Sequence, residues 1–429
     1  MPVTEKFRLF SPRAQVTFYH PVAEGERVVQ TELGTSTVLT LNTSKRLYGG
    51  QGGFQLTMKL FDSNGKRWLD VLSPNDKAVI RLSNGGVTET VMVGLIDAIR
   101  ENEAIQNDAM RRTCSIVGTD YVKLFQQYRI SYSFLVNEAG DVFKGFAMRG
   151  WEIGPTGKDG RVLTNGETLG KILDWIAAKR LSDLHFGLIS DEVARDITAS
   201  EQIYASTWVN YQGDLWGMLS QVASPPFNEL FLDTIKGQPT IVFRSSPFSD
   251  YYMTKLPMHQ IAAEEWSQRS LGKSDGEVKN LFLVYIKPPL SGMEITRRPT
   301  VLVSSIKRFG LRDLRLTTNL SPFRNCQRAE AEDKNPKKGE LREDAKDNED
   351  RMTQWQGELA GWFGSMEKML SGVVTLRGRP EVHIGQTVKF DDRPELFYVT
   401  EVHHEYQVKR RYATHLVLSR GKKYGQTNG

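Results

Sequence analysis

From about residue 35 to 135 the chain alternates apolar and polar positions with a period of two. In "GFQLTMKLFD" the apolar Phe54, Leu56, Met58 and Leu60 alternate with Gln55, Thr57 and Lys59, and "DKAVIRLS" and "ETVMVGLIDAI" continue the pattern between Gly and Asn turns. Successive side chains of a strand point to opposite faces, so the block predicts an antiparallel barrel or sandwich. "TDYVKLFQQYRI" then predicts a short helix opened by Thr119 or Asp120 as a cap.

The period changes between 136 and 224. "NGETLGKILDWIAAKR" places Leu169, Ile172, Leu173 and Ile176 at helical spacings behind Asn165 as the cap. "GDLWGMLSQVAS" repeats the pattern with Leu215, Met218, Leu219 and Val222, so a largely helical domain is expected. Strands return in "NELFLDTIKGQPTIVFRS", where "KGQP" can turn a hairpin. Residues 327 to 351 are almost wholly polar, carry both charges and predict a solvated arm. The arm leads into an amphipathic helix with the stripe Met352, Trp355, Leu359, Trp362, Phe363, Met366 and Leu370, ended by Gly372. After it, "GVVTLRG", "EVHIGQTVKF", "LFYVTEVHHEYQV" and "YATHLVLSRG" are four closely spaced strands that predict a second barrel-like module.

Composition narrows the class. A chain of 429 residues is too long for one ordinary core and implies two to four domains. At 39% hydrophobic and 25% charged residues it falls in the globular range, and no run approaches the roughly 18 apolar residues of a membrane helix. The start "MPVTEKFRLFSPRAQV" shows no signal-peptide pattern, which predicts a protein made in a cytoplasm. The net charge of +5 is scattered, so charge alone does not indicate nucleic-acid binding. Cys114 and Cys326 are too few for a disulfide framework or a four-sulfur zinc site and are expected to be reduced.

Candidate chemistry gathers at "FYVTEVHHEYQ". In a strand, His403 shares a face with Glu401 and Glu405, while His404 shares the other with Val402 and Tyr406, so the two imidazoles diverge. His404 is expected to pack among apolar neighbours and His403 to hydrogen-bond a glutamate. His383 and His415, on neighbouring predicted strands, lie within reach of either ring, yet the H-E-x-x-H helix of a zinc hydrolase is absent. "SLGKSDG" at 270 to 276 matches the end of a phosphate-binding loop but has Ser267 where the first glycine belongs. "YGGQGG" at 48 to 53 has the wrong spacing for a dinucleotide loop and predicts a hairpin that brings backbones close. The pairs Glu264–Glu265 and Asp391–Asp392 are adjacent in sequence and say nothing of convergence in space, and no G-x-S-x-G elbow occurs. No catalytic, cofactor or metal residue is assigned.

The order of several phrases carries a resemblance: "WLDVLSPNDKAVIRL", "RRTCSIVGTDYVKLF", "PPFNELFLDTIKGQPTIVFRSSPF", "KSDGEVKNLFLVY" and "LSGVVTLRGRPEVHIGQTVKF". Over residues 35 to 421 the chain resembles the baseplate hub proteins of contractile phage tails, which include the late-control D proteins and the hub portion of type VI secretion spikes. The resemblance implies a mainly β fold with α+β insertions: two related tube-forming β-barrel domains plus inserted helical and mixed domains. The expected division is an N-terminal arm (1–29), a first barrel (30–135), a mixed, largely helical domain (136–224), a second barrel (225–250 and 372–421), an insertion (251–371) and a tail (422–429). It further implies a non-enzymatic homotrimer between a sixfold tail tube and a threefold central spike, touching baseplate wedge proteins and enclosing DNA or a tape-measure protein, in a virion assembled in a bacterial cytoplasm. The rivals are a tail-associated cell-wall hydrolase and a nucleic-acid-binding protein.

Overall fold

The structure, a computed structural model, describes residues 10–20, 29–33, 37–62, 64–106, 109–127, 129–131, 164–178, 193–198, 203–204, 212–248, 255–286, 295–296, 299–318, 320–321 and 340–423. The fold is mainly β with helical and mixed insertions. Seven strands come from the N-terminal third: β1 (Arg13–His20), β2 (Val29–Leu33), β3 (Val38–Arg46), β4 (Gly53–Lys59), β5 (Lys77–Asn84), β6 (Val87–Gln106) and β7 (Ala109–Asp120). A hairpin follows, β8 (Asn228–Ile235) and β9 (Gln238–Ser245), then β10 (Met258–Ile261) and β11 (Trp266–Gly272), and last β12 (Leu370–Leu376), β13 (Thr387–Phe390), β14 (Glu395–Gln407) and β15 (Arg411–Lys423).

Thirteen of these strands form one sheet in the order β11-β12-β15-β14-β3-β4-β7-β6-β5-β1-β2, with β13 beside β14 and β10 beside β13. The join is antiparallel pairing of β3 with β14, where Ser44 faces His403 and Thr43 faces His404. Two cores fill the sheet. Alternate residues of β1, β3, β4, β5, β6 and β7 meet in the first, including Val16, Phe18, Leu41, Leu56, Ile80 and Ile116. β1 and β3 stand five strands apart in the row yet feed one core, so the row curls around it. The second core collects Val374, Leu376, Val388, Phe390, Phe397, Val399, Leu416 and Leu418 from the C-terminal strands.

Among the described residues the α-helices are α1 (Trp68–Val71), α2 (Val122–Gln127), α3 (Asn165–Ala178), α4 (Leu215–Ala223), α5 (Val303–Phe309) and α6 (Glu340–Phe363). Leu169, Ile172 and Leu173 of α3 and Leu215, Met218, Leu219 and Val222 of α4 are buried as their spacing predicts, in a third cluster; the side chain of Ile176 lies outside the described residues. α2 is capped by Asp120, whose carboxylate accepts from the Val122 amide at 3.0 Å. Thr164 rather than Asn165 caps α3: its hydroxyl accepts from the Glu167 amide at 3.3 Å while Glu167 accepts from the Thr164 amide at 2.9 Å. Asn165 instead donates to the Val222 carbonyl at 2.7 Å and ties α3 to α4. Of the predicted helical domain, 136–163, 179–192, 199–202 and 205–211 lie outside the described residues.

Several expected boundaries move. Residues 13–20, assigned to an N-terminal arm, form β1 and put Ala14, Val16 and Phe18 into the first core. β10 and β11, assigned to the insertion, pair with β13 and β12 at the second core. The β8–β9 hairpin, assigned to the second barrel, stands outside the large sheet and pairs β9 in parallel with Ala194–Ile197. Both its faces are apolar and each is buried: Leu232, Ile241 and Phe243 enter the helical cluster, Phe231 and Val242 the second core. Its turn is the expected one, with Lys236 and Gly237 at φ of 52° and 81°, both positive as a two-residue type I′ turn requires.

The polar segment is also different. Residues 340–351 belong to α6, while 327–339 lie outside the described residues. Glu, Lys, Arg and Ala are strong helix formers, and a polar turn propagates from a helix anchored at its other end. The anchor is Met352, Trp355 and Leu359, buried with Phe227, Phe282, Val284 and Leu320 in a fourth core. α6 stops at Phe363, with the Gly364 amide donating to the Ala360 carbonyl at 2.8 Å, so Met366 and Leu370 are beyond it. Gly372 sits inside β12, where a Cβ would lie 1.9 Å from the Ser270 carbonyl oxygen; it permits the approach of β11.

Candidate functional site

β14 is the central strand of the join, with β3 on one side and β15 on the other, and its alternation gives the molecule two chemically different surfaces. On the outer face, Glu401, His403 and Glu405 stand beside Ser44 and Arg46 of β3, His415 and Val417 of β15, and Val373 and Thr375 of β12. They form a groove of about 390 Å³. His403 is the direct cross-strand partner of His415, with ring centroids 5.6 Å apart. The expected hydrogen bond from His403 to a glutamate is not the one formed. Glu405 pairs with Arg411 and approaches Nε2 of His415 at 3.4 Å, and Thr375 Oγ1 meets Nδ1 of His415 at 3.0 Å. Burial and the neighbouring His415 lower the pKa of His403, which favours a neutral ring.

The inner face carries His404, fully inside the protein. Its neighbours are more polar than expected, because the hydroxyls of Tyr412 and Thr414 both lie 3.1 Å from Nδ1. Burial pushes the imidazole down to about 3, helped by the neighbouring His383 and Lys45, so the ring is neutral at ordinary pH. Beside it, Lys45 Nζ donates to Asp233 at 2.5 Å and to Thr234 Oγ1 at 2.8 Å, and His383 Nδ1 lies 3.1 Å from Asp233. Burial would raise the Asp233 pKa; the Lys45 charge and the bonds from Lys45 and His383 outweigh it and hold the carboxyl well below its ordinary value. A second buried knot lies on the same hairpin. Glu229 accepts from Arg244 Nε at 3.0 Å, from Tyr48 at 3.0 Å and from Tyr398 at 2.7 Å, and Arg244 also donates to the Gly385 carbonyl at 2.7 Å. Burial and Glu229 together push the Tyr398 phenol well up, while Tyr48 closes the knot from its exposed side. These bonds fasten β8–β9 to both halves of the sheet, and they leave the carboxylates occupied.

The "YGGQGG" segment is the β3–β4 turn, and Gly52 lets its amide donate to Asp120 at 2.7 Å where a Cβ would be 2.7 Å from the same carboxylate. Lys273 of "SLGKSDG" is exposed after β11, and the next element is the strand Leu281–Ile286, not a helix. Glu265 pairs with Arg379 while Glu264 is exposed, and Asp391 accepts from Gln260 while Asp392 holds Arg269, so neither carboxylate pair converges on one point. Cys114 is buried and its thiol is pushed up to about 11, first by burial and then by Glu101; Cys326 lies outside the described residues. Among the described residues, no three His, Cys, Asp or Glu side chains are placed to hold a metal, and no helix is long and apolar enough to cross a membrane.

Comparison with known proteins rests on the fold. No family model matches the chain, and no curated protein matches it either. A solved tail protein from Neisseria meningitidis MC58 superposes with a TM-score of 0.51 at 10% identity, over 96% of this chain and 97% of that one. The fold is that of this tail protein. Other similar structures are the 43 kDa tail protein of prophage MuSo2 from Shewanella oneidensis, with a TM-score of 0.47, 12% identity, 95% of this chain and 98% of that one, and a Francisella PdpA-VgrG complex, with a TM-score of 0.47, 10% identity, 98% of this chain and 55% of that one. In this tail-protein fold the sequence reading missed the buried Lys45–Asp233 pair. A signal was available: Lys45 sits in phase with Leu41 and Thr43, the inward positions of β3, where a charge needs a buried partner.

Asp120 supplies a pH test. Burial pushes its carboxyl up to about 7, against the lowering by the Gly52 and Val122 amides and Lys45. A carboxyl raised on folding binds its proton more tightly in the native state, so its contribution declines as pH rises from about 4 to about 7. Asp120→Asn should therefore gain stability relative to wild type across that window, by a few kcal/mol in total. Urea midpoints at pH 4.5 and 7.5 check the trend; an unchanged difference between the two proteins refutes it.

Proposed function

We propose that the chain is a structural subunit of a phage tail or phage-like injection machine, and within it the baseplate hub: a non-enzymatic homotrimer joining a sixfold tail tube to a threefold central spike. The observation that carries the reading is the end-to-end likeness to a tail protein, over 96% of this chain and 97% of that one. The shape supports it. One continuous sheet wraps two cores per chain, so three chains present six lobes, the number needed to meet a sixfold tube while retaining threefold symmetry. Tube protein above, spike below and wedge proteins around it are the partners, with DNA or a tape-measure protein passing through the lumen of the virion tail. The buried acids and histidines act as internal fasteners.

The test is electron microscopy of the assembled particle, or of the chain purified with its spike, classified for symmetry. Three copies with two lobes of density each are expected. Six copies, or a single chain closing over a substrate cleft, would overturn the hub, and a lytic assay on purified cell walls would then decide for a tail-associated hydrolase.

A further inference from the structure

β6 and β7 outrun their neighbours. β5 accompanies β6 only as far as Leu95, and β4 accompanies β7 only from Thr113, so between Glu103 and Arg112 the hairpin has no third strand among the described residues. An isolated two-stranded ribbon is marginal in water. Near its tip Ile105 and Met110 are direct cross-strand partners and are 77% and 56% exposed. Behind them Glu103 and Arg112 form an ion pair of 3.0 Å. A paired apolar patch on an unsupported ribbon is a surface that a partner covers.

The same chain carries a surface that matches it. The groove over β12, β15, β14 and β3 has Val373, 50% exposed, and Val417 at its centre beside the His403 and His415 rings. Its rim carries the Arg46–Glu401 ion pair of 3.2 Å and the Arg411–Glu405 pair. Apolar centre and charged rim thus repeat the order found on the ribbon, where the apolar pair is backed by Glu103 and Arg112. Ile105 and Met110 lie on the side of the sheet that carries Cys114 and Ile116 into the first core. The groove residues lie on the opposite side, in phase with Ser44, Gln55 and Val117. Tip and groove therefore cannot meet within one chain.

We propose that the ribbon tip of one copy seats in the groove of the next copy, with Ile105 and Met110 against Val373 and Val417 and the Glu103–Arg112 pair against Arg46 and Glu401. The patches differ, so the contact is heterologous and propagates from copy to copy until it closes a ring. This inference rests on the ring reading above and names the surfaces that would make it.

The experiment uses full-length protein in assembled particles, in a Cys326→Ser background. With Ile105→Cys and Val373→Cys in the same chain, mild oxidation should give covalent dimers and trimers on a non-reducing gel, the series ending at three. Either cysteine alone should give no such series. Ile105→Glu should weaken association of the chain at least tenfold while leaving its circular dichroism unchanged, because the side chain is already exposed. Particles with three copies in the ring but no cross-linked series would overturn the docking and leave the hub standing. Dimers from Ile105→Cys alone, or a cross-link to another protein, would also overturn it. Particles with no ring of this chain would overturn both.

Discussion

Replacing Asp233 with alanine should cost about 3–5 kcal/mol of stability at neutral pH, the usual result of removing one partner from a buried ion pair. Asp233 is buried and holds Lys45, His383 and the amide of Thr234, the last at 2.7 Å. Its loss leaves Lys45, also buried, with only the Thr234 hydroxyl among these neighbours. The double variant Asp233→Leu with Lys45→Met should recover much of the loss, because replacing both charges with apolar groups of similar size removes the desolvation cost. The carboxyl is depressed in the folded state, so its contribution is present above the ordinary carboxylate pKa and is lost as pH falls below about 4. Hydrogen exchange of the amides of β3 and β8 measures the effect. A single variant as protected as wild type at pH 7 would show that the pair contributes nothing.

Trp355→Ala should have a similar magnitude and a different reach. The indole is 2% exposed and packs on Phe227 with ring centroids 5.6 Å apart, and truncating a buried tryptophan costs about 3–5 kcal/mol. The fourth core is small, and α6 contributes Met352, Trp355 and Leu359 to it. The loss should release α6 while the large sheet holds. Limited proteolysis should cut within 340–363 in the variant and spare the β-strands; cleavage at wild-type rate would show that α6 is held by Trp362 and Phe363 instead.

The sequence revealed what repeats locally. Phe54, Leu56 and Met58, the α4 stripe from Leu215 to Val222, and the turn at Lys236–Gly237 are each specified by neighbours within a few residues. Long-range placement was hidden for identifiable reasons. The β8–β9 hairpin reads as strand wherever it goes, and only the structure shows that it is held between two cores. β11 is mostly polar outside Trp266 and Leu271, so it resembled insertion. The first turns of α6 lack an apolar stripe, and a solvated helix without one has the composition of a disordered segment. Opposite faces for His403 and His404 followed from the strand period alone. The inner-face partners Lys45 and Asp233 are 188 residues apart and meet only through the fold.

The pairing of β3 with β14 also sets a schedule for synthesis. β3 emerges from the ribosome long before β14, the strand at Glu395–Gln407 that covers one of its edges. At about 5–20 residues per second that edge waits on the order of tens of seconds. During this interval the nascent protein displays a half-finished sheet with Leu41 already committed to one core and Leu47 destined for another. Translation arrested before residue 395 should therefore yield aggregation-prone fragments, and a holdase that shields β3 would raise the yield of finished subunits.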